Sequence, residues 1–300
     1  MTNKTKVSVI VPAFNEEKNI VQILNDILSQ RQNGWELEEI FVYSDGSTDK
    51  TVEAASSINN TLIKIVGDSQ RLGKVQRIQQ FFKKAKGEIL VMFDADIKIK
   101  DCRTINFLVE AFNRDNRIML ASGNSKAFSP QTFFQRGVYG TFKVFYKSRL
   151  TIRKGDNLFA CTGACLAVKN SFASEINFPQ IKNEDTFLYF TCKKKKYKFA
   201  FVKEAVVYYK LPGKLSDYLS QIFRSNPEAV KIKLTKYFGN LVNEEYKRGT
   251  GFYFKNIIKV LLEDPLPVLY ISFINLLTKP FFRIFSGTNK MTWNPIITTK

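Results

Sequence analysis

Two carboxylates, Asp94 and Asp96, follow the apolar run 89–93, with one residue between them. Side chains two positions apart in an extended chain point the same way, so these carboxylates would repel each other unless a cation lay beside them. Carboxylate oxygens suit hard divalent cations such as Mg²⁺ or Mn²⁺. A metal held here could neutralise a departing diphosphate. A lone Asp-x-Asp is more often a turn or a helix cap, and its place at the end of an apolar run favours the metal site.

A second acidic pair, Glu184 and Asp185, precedes the apolar block 186–190. The chain contains no histidine, which excludes Ser-His-Asp and Cys-His catalysis and histidine-ligated metal sites. A general base near neutral pH must then be a carboxylate, Lys, Tyr, Cys or water. This pair is a candidate for the base that removes a proton from an acceptor hydroxyl. The alternative is that the two negative charges only stabilise the positive end of the helix dipole at the start of a helix.

Two further polar segments follow predicted strands. Asp45, after the apolar run 40–43, could accept hydrogen bonds from a nucleotide base or ribose, although Asp-Gly is also a common turn. Arg71, Gly73 and Lys74 could meet a phosphate, because glycine permits close backbone approach and the cations supply charge. The alternative for this segment is a basic loop that opens a helix.

These groups must be positioned by the elements between them. Short Val- and Ile-rich runs predict strands, and apolar residues at helical spacing predict the helices that alternate with them. The strands are expected at 7–12, 40–43, 62–66 and 88–93, and the helices at 16–30, 48–57 and 75–85. This alternation predicts an α/β fold with a mostly parallel central sheet and helices on both faces. Ligands bind beyond the carboxyl ends of such strands, where the polar clusters lie.

The ordered set of motifs resembles the family 2 glycosyltransferases over about residues 6–226. The segments that carry the resemblance are VSVIVPAFNEEKNI, VYSDGSTDKT, RLGK, FDAD, CTGAC, EDTFL and QIFRS. The likeness is nearest to the branch of cellulose, chitin and hyaluronan synthases. It implies the glycosyltransferase A fold, a nucleotide-binding sandwich with an acceptor half. It also implies metal-dependent, inverting transfer from a nucleotide diphosphate sugar, with a UDP-sugar expected, to a glycan hydroxyl.

The resemblance further implies a role for each matching residue. Donor binding is assigned to Pro12, Asn15, Glu17, Asp45, Lys74, Asp94, Gln221 and Arg224. Within that set, the first three line the nucleotide pocket, Asp45 holds the base or ribose, Lys74 lies near the base or diphosphate, and Arg224 braces the diphosphate.

The remaining assignments concern the metal, the acceptor and the base. Asp96, together with Asp94, is expected to hold Mg²⁺ or Mn²⁺. Thr162 and Gly163 are expected to line the acceptor side. Asp185 of the Glu184-Asp185 pair is expected to be the catalytic base.

Two departures from the family pattern restrict the kind of transfer and the class of acceptor that we expect. Ser225 follows Arg224, where processive synthases often carry a tryptophan that stacks on a sugar. The longest uncharged run is 265–278, shorter than the roughly 20 residues of a spanning helix. A single-addition transferase that uses a lipid-linked or membrane-proximal acceptor is therefore expected.

The excess positive charge lies mainly at the C-terminal end. Residues 1–190 carry 26 basic and 20 acidic residues, whereas residues 191–300 carry 20 basic and 7 acidic ones. We therefore expect a catalytic domain at 1–226 and a basic, apolar helical appendage at 227–300. Apolar blocks at 257–262 and 265–277 flanked by lysines are typical of a helix that lies in a membrane interface. The alternative is an ordinary buried helix.

An aromatic and cationic cluster at 133–149 points the same way. It comprises Phe133, Phe134, Arg136, Tyr139, Phe142, Lys143, Phe145, Tyr146, Lys147 and Arg149. Such residues suit the depth of lipid headgroups, although a core-facing helix with a basic outer side would show the same composition. With no secretory signal at the start of the sequence, a peripheral protein on the cytoplasmic face of an anionic membrane is expected.

Two other functions compete with this interpretation. A nucleotidyltransferase has a similar sandwich but is expected to carry a glycine-rich loop after the first strand, where this chain reads PAFNEE. A nucleic-acid-binding protein fits the net charge of +19. The chain shows no helix-turn-helix, zinc-finger or RNP signature, so no nucleic-acid partner is expected.

Overall fold

The computed structural model describes residues 4–224, 227–247 and 250–281. Within them, eight strands form one sheet. The strands are β1 (Thr5–Ala13), β2 (Trp35–Asp45), β3 (Ile63–Asp68), β4 (Ile89–Phe93), β5 (Ile97–Ile99), β6 (Ile118–Ala127), β7 (Cys165–Lys169) and β8 (Lys198–Tyr209).

Twelve α-helices surround this sheet in the described residues. Those before the acidic pair are α1 (Ile20–Leu28), α2 (Thr51–Ser56), α3 (Lys74–Lys84), α4 (Thr104–Arg114), α5 (Phe133–Thr151) and α6 (Asn170–Ala173). The others are α7 (Glu184–Lys194), α8 (Leu215–Arg224), α9 (Pro227–Phe238), α10 (Asn240–Lys247), α11 (Thr250–Glu263) and α12 (Pro265–Thr278).

The strand order of the sheet is β3-β2-β1-β4-β7-β6-β8-β5. The pairings β1–β2, β1–β4, β2–β3 and β6–β8 are parallel. Strand β7 runs antiparallel to β4 and β6, and β5 runs antiparallel to β8. The predicted α/β fold with a mostly parallel central sheet is therefore confirmed.

Alternating side chains of the central strands fill two cores, one on each face of the sheet. Val9 belongs to the core cluster that contains Phe112 of α4, whereas its neighbour Ile10 belongs to the one that contains Phe81 of α3 and Phe190 of α7. Burial on both faces explains why these strands read as continuous apolar runs.

The last helices pack in two groups. Leu234 of α9 and Val242 of α10 belong to the same core as α7. Helices α11 and α12 pack on α5 instead, and Gly137 permits the close approach because a Cβ there would lie 2.3 Å from the carbonyl oxygen of Pro267. The boundary at 226/227 between a catalytic domain and an appendage stays a prediction.

The aromatic and cationic cluster at 133–149 forms α5, whose inner face is packed. Val138 and Val144 are buried, as is Arg149. The hydroxyl of Tyr146 accepts a hydrogen bond from the backbone N–H of Ala127 at 2.8 Å. Helix α5 therefore faces the core along most of its length. None of the helices in the described ranges combines the length and the hydropathy needed to cross a bilayer.

Candidate active site

The predicted polar groups meet at one edge of the sheet. Asp45 ends β2, Asp94 follows β4, and Lys74 is the first residue of α3. Because β1, β2 and β4 are parallel, their carboxyl ends lie at the same edge, with the loops that follow them. The antiparallel strand β7 brings the segment 162–164 to this edge as well, where the backbone N–H of Asp94 donates to the carbonyl of Ala164 at 3.4 Å.

Lys74 forms ion pairs with Asp94, which follows β4, and with Glu184 at the start of α7. Its Nζ lies 2.6 Å from Oδ1 of Asp94 and 2.5 Å from Oε1 of Glu184. It also donates to the carbonyl of Gly163 at 3.4 Å. Burial lowers the pKa of Lys74, but the charges of Asp94 and Glu184 outweigh burial and raise the pKa overall. The side chain is therefore a permanent ammonium at neutral pH.

Glu184 is 3% exposed, at the start of α7. Burial raises its pKa, and the nearby charges of Asp185 and Asp94 act in the same direction. Lys74 opposes them, yet the net pKa lies above that of an ordinary glutamate. The ion pair with Lys74 thus stabilises the charged form of this buried carboxylate against the effects of burial and the neighbouring acids.

Gly163 leaves the space in which these charges meet. A Cβ at this position would lie 2.7 Å from Oε1 of Glu184 and 3.1 Å from Nζ of Lys74. The glycine of the CTGAC segment therefore permits close approach of the backbone to the ion pair, which a side chain would prevent.

Asp185 is held in place by the backbone around it. Its Oδ2 accepts the N–H of Gly163 at 3.0 Å, and its Oδ1 accepts the N–H of Thr186 at 2.6 Å. Burial raises the pKa of Asp185, against the opposing effect of these hydrogen bonds. A carboxylate can accept about four hydrogen bonds, so Oδ2 can also accept a hydroxyl proton. This geometry suits a general base.

Asp45 is a buried anchor in the structure. Its two oxygens accept the backbone N–H groups of Leu72 and Gly73 at 2.8 and 3.0 Å, and Nε of Arg77 donates to Oδ1 at 2.9 Å. These bonds fasten the loop 71–74 to the end of β2, and so set the start of α3 and the position of Lys74. Its contact with a base or ribose stays a prediction.

Arg77 was missed by the sequence reasoning. It is fully buried and also donates to the carbonyl of Gln70 at 2.8 Å and to Asp68 at 3.2 Å. The available signal was its position on α3, where it lies one helical turn before Phe81 on the apolar side. A cation on that side indicates a buried partner.

We expect Asp45→Asn to lower the free energy of unfolding by on the order of 3 kcal/mol, because it removes the negative partner of a buried arginine. The measurement is equilibrium unfolding in urea. Asp101→Asn is the matched control, since Asp101 pairs with an exposed Arg103 and its replacement should leave the stability nearly unchanged. Equal losses in the two variants would contradict an anchoring role for Asp45.

Asn15 and Glu17 fasten the loop after β1 to the loop after β2. Oδ1 of Asn15 accepts the N–H of Thr48 at 2.8 Å, and Oε2 of Glu17 accepts the N–H of Lys50 at 3.1 Å. Asn15 has a φ of 55°, a left-handed conformation that asparagine tolerates. Pro12 is half-buried near the end of β1. Their predicted place in a nucleotide pocket stays a prediction.

Thr162 is tied to α5 by a buried network that the sequence reasoning did not identify. Its Oγ1 lies 2.9 Å from Oγ of Ser125. Nη1 of Arg149, near the end of α5, donates to the carbonyl of Ser125 at 2.6 Å, and its Nε donates to Phe159 at 3.0 Å. Burial lowers the pKa of Arg149, and its carbonyl partners fix the loop on the expected acceptor side.

The structure thus brings five of the predicted residues into one cluster: Lys74, Asp94, Gly163, Glu184 and Asp185. Gln221 lies half-buried on α8. Arg224 ends α8, but its side chain lies outside the described residues. The predicted contact of Arg224 with a diphosphate therefore stays a prediction.

Asp94 and Asp96 provide oxygen ligands of the kind that Mg²⁺ or Mn²⁺ accepts. Asp94 is already paired with Lys74, and Asp96 is partly exposed. In the parts of the chain that the structure describes, no group of three or more Asp, Glu or Cys side chains is arranged to hold a metal. The chemistry of these two carboxylates fits a divalent cation, and their role as its ligands stays a prediction.

Comparison with known proteins identifies the family. Residues 8–176 match the family described as Glycosyl transferase family 2, which is more than half of the chain. The chain belongs to glycosyltransferase family 2. It is therefore a glycosyltransferase, and the resemblance drawn from the motifs is confirmed.

Two relatives show how far the similarity extends. A dolichol-phosphate mannosyltransferase of Pyrococcus furiosus is 31% identical over 118 residues, which are 39% of this chain and 33% of that enzyme. The aligned segment thus spans about a third of that relative. An uncharacterized glycosyltransferase of Haemophilus influenzae is 24% identical over 211 residues, 69% of this chain and 76% of the relative.

Two solved structures share the fold. The mannosyltransferase PcManGT from Pyrobaculum calidifontis matches with a TM-score of 0.60 and 17% identity, over 99% of this chain and 86% of that one. Glucosyl-3-phosphoglycerate synthase from Mycobacterium tuberculosis matches with a TM-score of 0.57 and 20% identity, over 78% and 79% of the two chains. At these identities the likeness concerns the fold, and the expected glycosyltransferase A fold is confirmed.

Proposed function

We propose that this family 2 enzyme is an inverting, metal-dependent transferase that moves a sugar from a nucleotide diphosphate sugar to a hydroxyl of a lipid-linked or membrane-proximal glycan. The observation that carries the proposal is the cluster in which Lys74 bridges Asp94 and Glu184 while Gly163 holds Asp185. It places a fixed cation and a carboxylate of raised pKa at the same glycine, because Lys74 approaches Gly163 closely and Asp185 accepts its N–H.

Asp185 has the geometry of the base. As the acceptor hydroxyl attacks the anomeric carbon, its proton passes to Oδ2 of Asp185 and the bond to the nucleotide diphosphate breaks on the opposite face. One displacement of this kind inverts the configuration. The ammonium of Lys74 stabilises the negative charge that develops on the leaving diphosphate. A bound Mg²⁺ or Mn²⁺, held by Asp96 with Asp94, would add positive charge to the same diphosphate.

The names of similar proteins support the donor class. The Pyrobaculum structure contains GDP-Man and Mn²⁺, and the Mycobacterium structure contains Mn²⁺, UDP and phosphoglyceric acid. We propose a UDP-sugar as the donor, with a GDP-sugar as the second candidate. Pro12, Asn15, Glu17 and Asp45 are proposed to form or support the nucleotide pocket, and Gln221 and Arg224 to contact the diphosphate.

The same proposal places the enzyme, as a peripheral protein, on the cytoplasmic face of an anionic membrane. Two relatives have lipid carriers in their names, a dolichol-phosphate mannosyltransferase and an undecaprenyl-phosphate 4-deoxy-4-formamido-L-arabinose transferase, and they support an acceptor near a membrane. Single addition is proposed rather than processive synthesis, because Ser225 replaces the tryptophan expected after Arg224.

We expect nucleotide diphosphate sugars to raise the melting temperature only when Mn²⁺ or Mg²⁺ is present. A ligand at a hundred times its Kd adds about 2.7 kcal/mol to the free energy of unfolding, a shift that differential scanning fluorimetry resolves. Asp96→Asn should lose the metal-dependent part of this shift. A matched control is Asp115→Asn, since Asp115 pairs with Arg117 and Lys198 on the surface. An equal shift in the presence of EDTA would contradict metal-assisted donor binding.

A further inference from the structure

Helices α11 and α12 carry a continuous exposed apolar face. On α11 the exposed residues recur every fourth position, and on α12 they recur at three and four, the spacing of one helical face. Leu262 is 79% exposed and Leu266 is 70% exposed. We call this set the hairpin face: Phe254, Ile258, Leu262, Leu266, Leu269, Tyr270, Phe273, Leu276 and Leu277.

The hairpin face is not the side by which these helices pack on the protein. Val260 of α11 and Val268 of α12 are buried against Val144 of α5, and Ile271 of α12 is buried beside Val138. Each helix therefore has one apolar side in the core and a second apolar side in solvent. Soluble proteins rarely expose apolar patches of this extent without a binding function.

The acidic residues beside the hairpin face are matched by cations of α5. The two acidic residues at the joint of the helices are paired with α5: Asp264 with Arg136 at 2.6 Å, and Glu263 with Lys143 and Lys147 at 2.9 and 2.8 Å. Hydrogen bonds from the two lysines lower the pKa of Glu263 to about 2, so it stays charged and matched at neutral pH.

The lysines of the two helices add to the positive charge. Lys255, Lys259 and Lys279 are exposed on α11 and just after α12. An apolar face bordered by exposed cations, with its acidic residues already neutralised, complements an anionic lipid surface. A second copy of this chain would bring lysines of the same sign together at the same contact.

We propose that the hairpin face lies in the plane of an anionic bilayer, with its apolar side chains among the acyl chains and the lysines at the headgroups. A helix of 14 residues, as α12 is, measures about 21 Å, less than the roughly 30 Å of a hydrocarbon core, so it lies on the membrane. This inference specifies how the membrane location of the proposed function is achieved.

The arrangement also sets which side of the enzyme faces the lipid. Helix α5 holds the hairpin through Arg136 and Lys143 and, near its other end, holds Thr162 through Arg149 and Ser125. A helix of 19 residues is about 28 Å long, so the acceptor loop lies within one helix length of the bilayer surface. An acceptor carried by a lipid would enter from this side.

The test is co-sedimentation of the full chain with vesicles of phosphatidylcholine alone or mixed with phosphatidylglycerol. We expect binding to the anionic vesicles and loss of at least about tenfold in partition for Leu262→Ser/Leu269→Ser. The control pair Val52→Ser/Ile232→Ser removes exposed apolar residues elsewhere and should bind as wild type, since Val52 and Ile232 are 37% and 64% exposed. Replacing Lys255, Lys259 and Lys279 by Gln should weaken binding to anionic vesicles about fivefold per lysine.

Several outcomes would overturn the proposal. One is that the wild-type protein stays in the supernatant at low salt. Another is that Leu262→Ser/Leu269→Ser and the control pair lose vesicle binding equally. A concentration-dependent dimer abolished by Leu262→Ser/Leu269→Ser would assign the face to a second copy. Vesicle binding gained only after removal of 282–300 would assign it to that segment. Because the hairpin pair should keep its stabilisation by nucleotide sugars, failure here is distinguishable from failure of the proposed function.

Discussion

Replacement of Asp185 by asparagine is expected to lower the rate of sugar transfer by about 10³-fold, while donor binding is retained. The amide keeps an oxygen that can accept the N–H of Gly163 or Thr186, so the start of α7 should hold its shape. An amide cannot take the proton of the acceptor hydroxyl, and that step is the one we propose for this carboxylate. The measurement is single-turnover transfer beside donor-induced thermal stabilisation.

The pH dependence of wild-type transfer gives an independent check. A base works only when deprotonated, and burial raises the pKa of Asp185. Activity should therefore fall with decreasing pH at values above the ordinary aspartate pKa of about 3.9. Glu175→Gln, which removes a surface partner of Lys195, is the control and should keep full activity. Near-normal turnover of Asp185→Asn would reject its role as the base.

Much of the sheet edge that carries Asp45 and Asp94 could be predicted from the sequence, because each polar residue lies next to its own strand in the sequence. The apolar runs 40–43 and 89–93 are each followed within two positions by an aspartate, and parallel strands bring such ends together. Strand β2 nevertheless begins at Trp35, earlier than expected, because the buried residues Trp35 and Leu37 alternate there with glutamates. The alternating start of this strand was not recognised as part of the apolar run.

Contacts between distant segments could not be predicted. Lys74 and Glu184 are far apart in the sequence, and their ion pair exists because α3 and the start of α7 reach the same edge of the sheet. The sequence also could not predict which side of α11 and α12 is exposed. An apolar helix has the same composition whether one side or both are buried. Only the position of α5 determines which side packs.

The loss of the Lys74 charge is expected to have the largest effect on stability. In Lys74→Met the side chain keeps most of its apolar length, but Glu184, 3% exposed, loses its cation. Breaking a buried ion pair in this way costs about 3–5 kcal/mol. Without Lys74 the pKa of Glu184 rises further, since Lys74 opposes that rise. The folded form then favours a protonated Glu184, and stability falls as pH increases towards that raised pKa.

The loss should therefore be larger at about pH 8 than at about pH 5, as measured by urea unfolding at both values. Lys74→Met/Glu184→Gln is the matched variant, because it removes both charges and should recover much of the stability. Transfer should not recover with it, since the ammonium that stabilises the leaving diphosphate is still missing. If the double variant were as unstable as the single one, packing and not charge would explain the loss. If transfer returned together with stability, Lys74 would support the fold without acting on the donor.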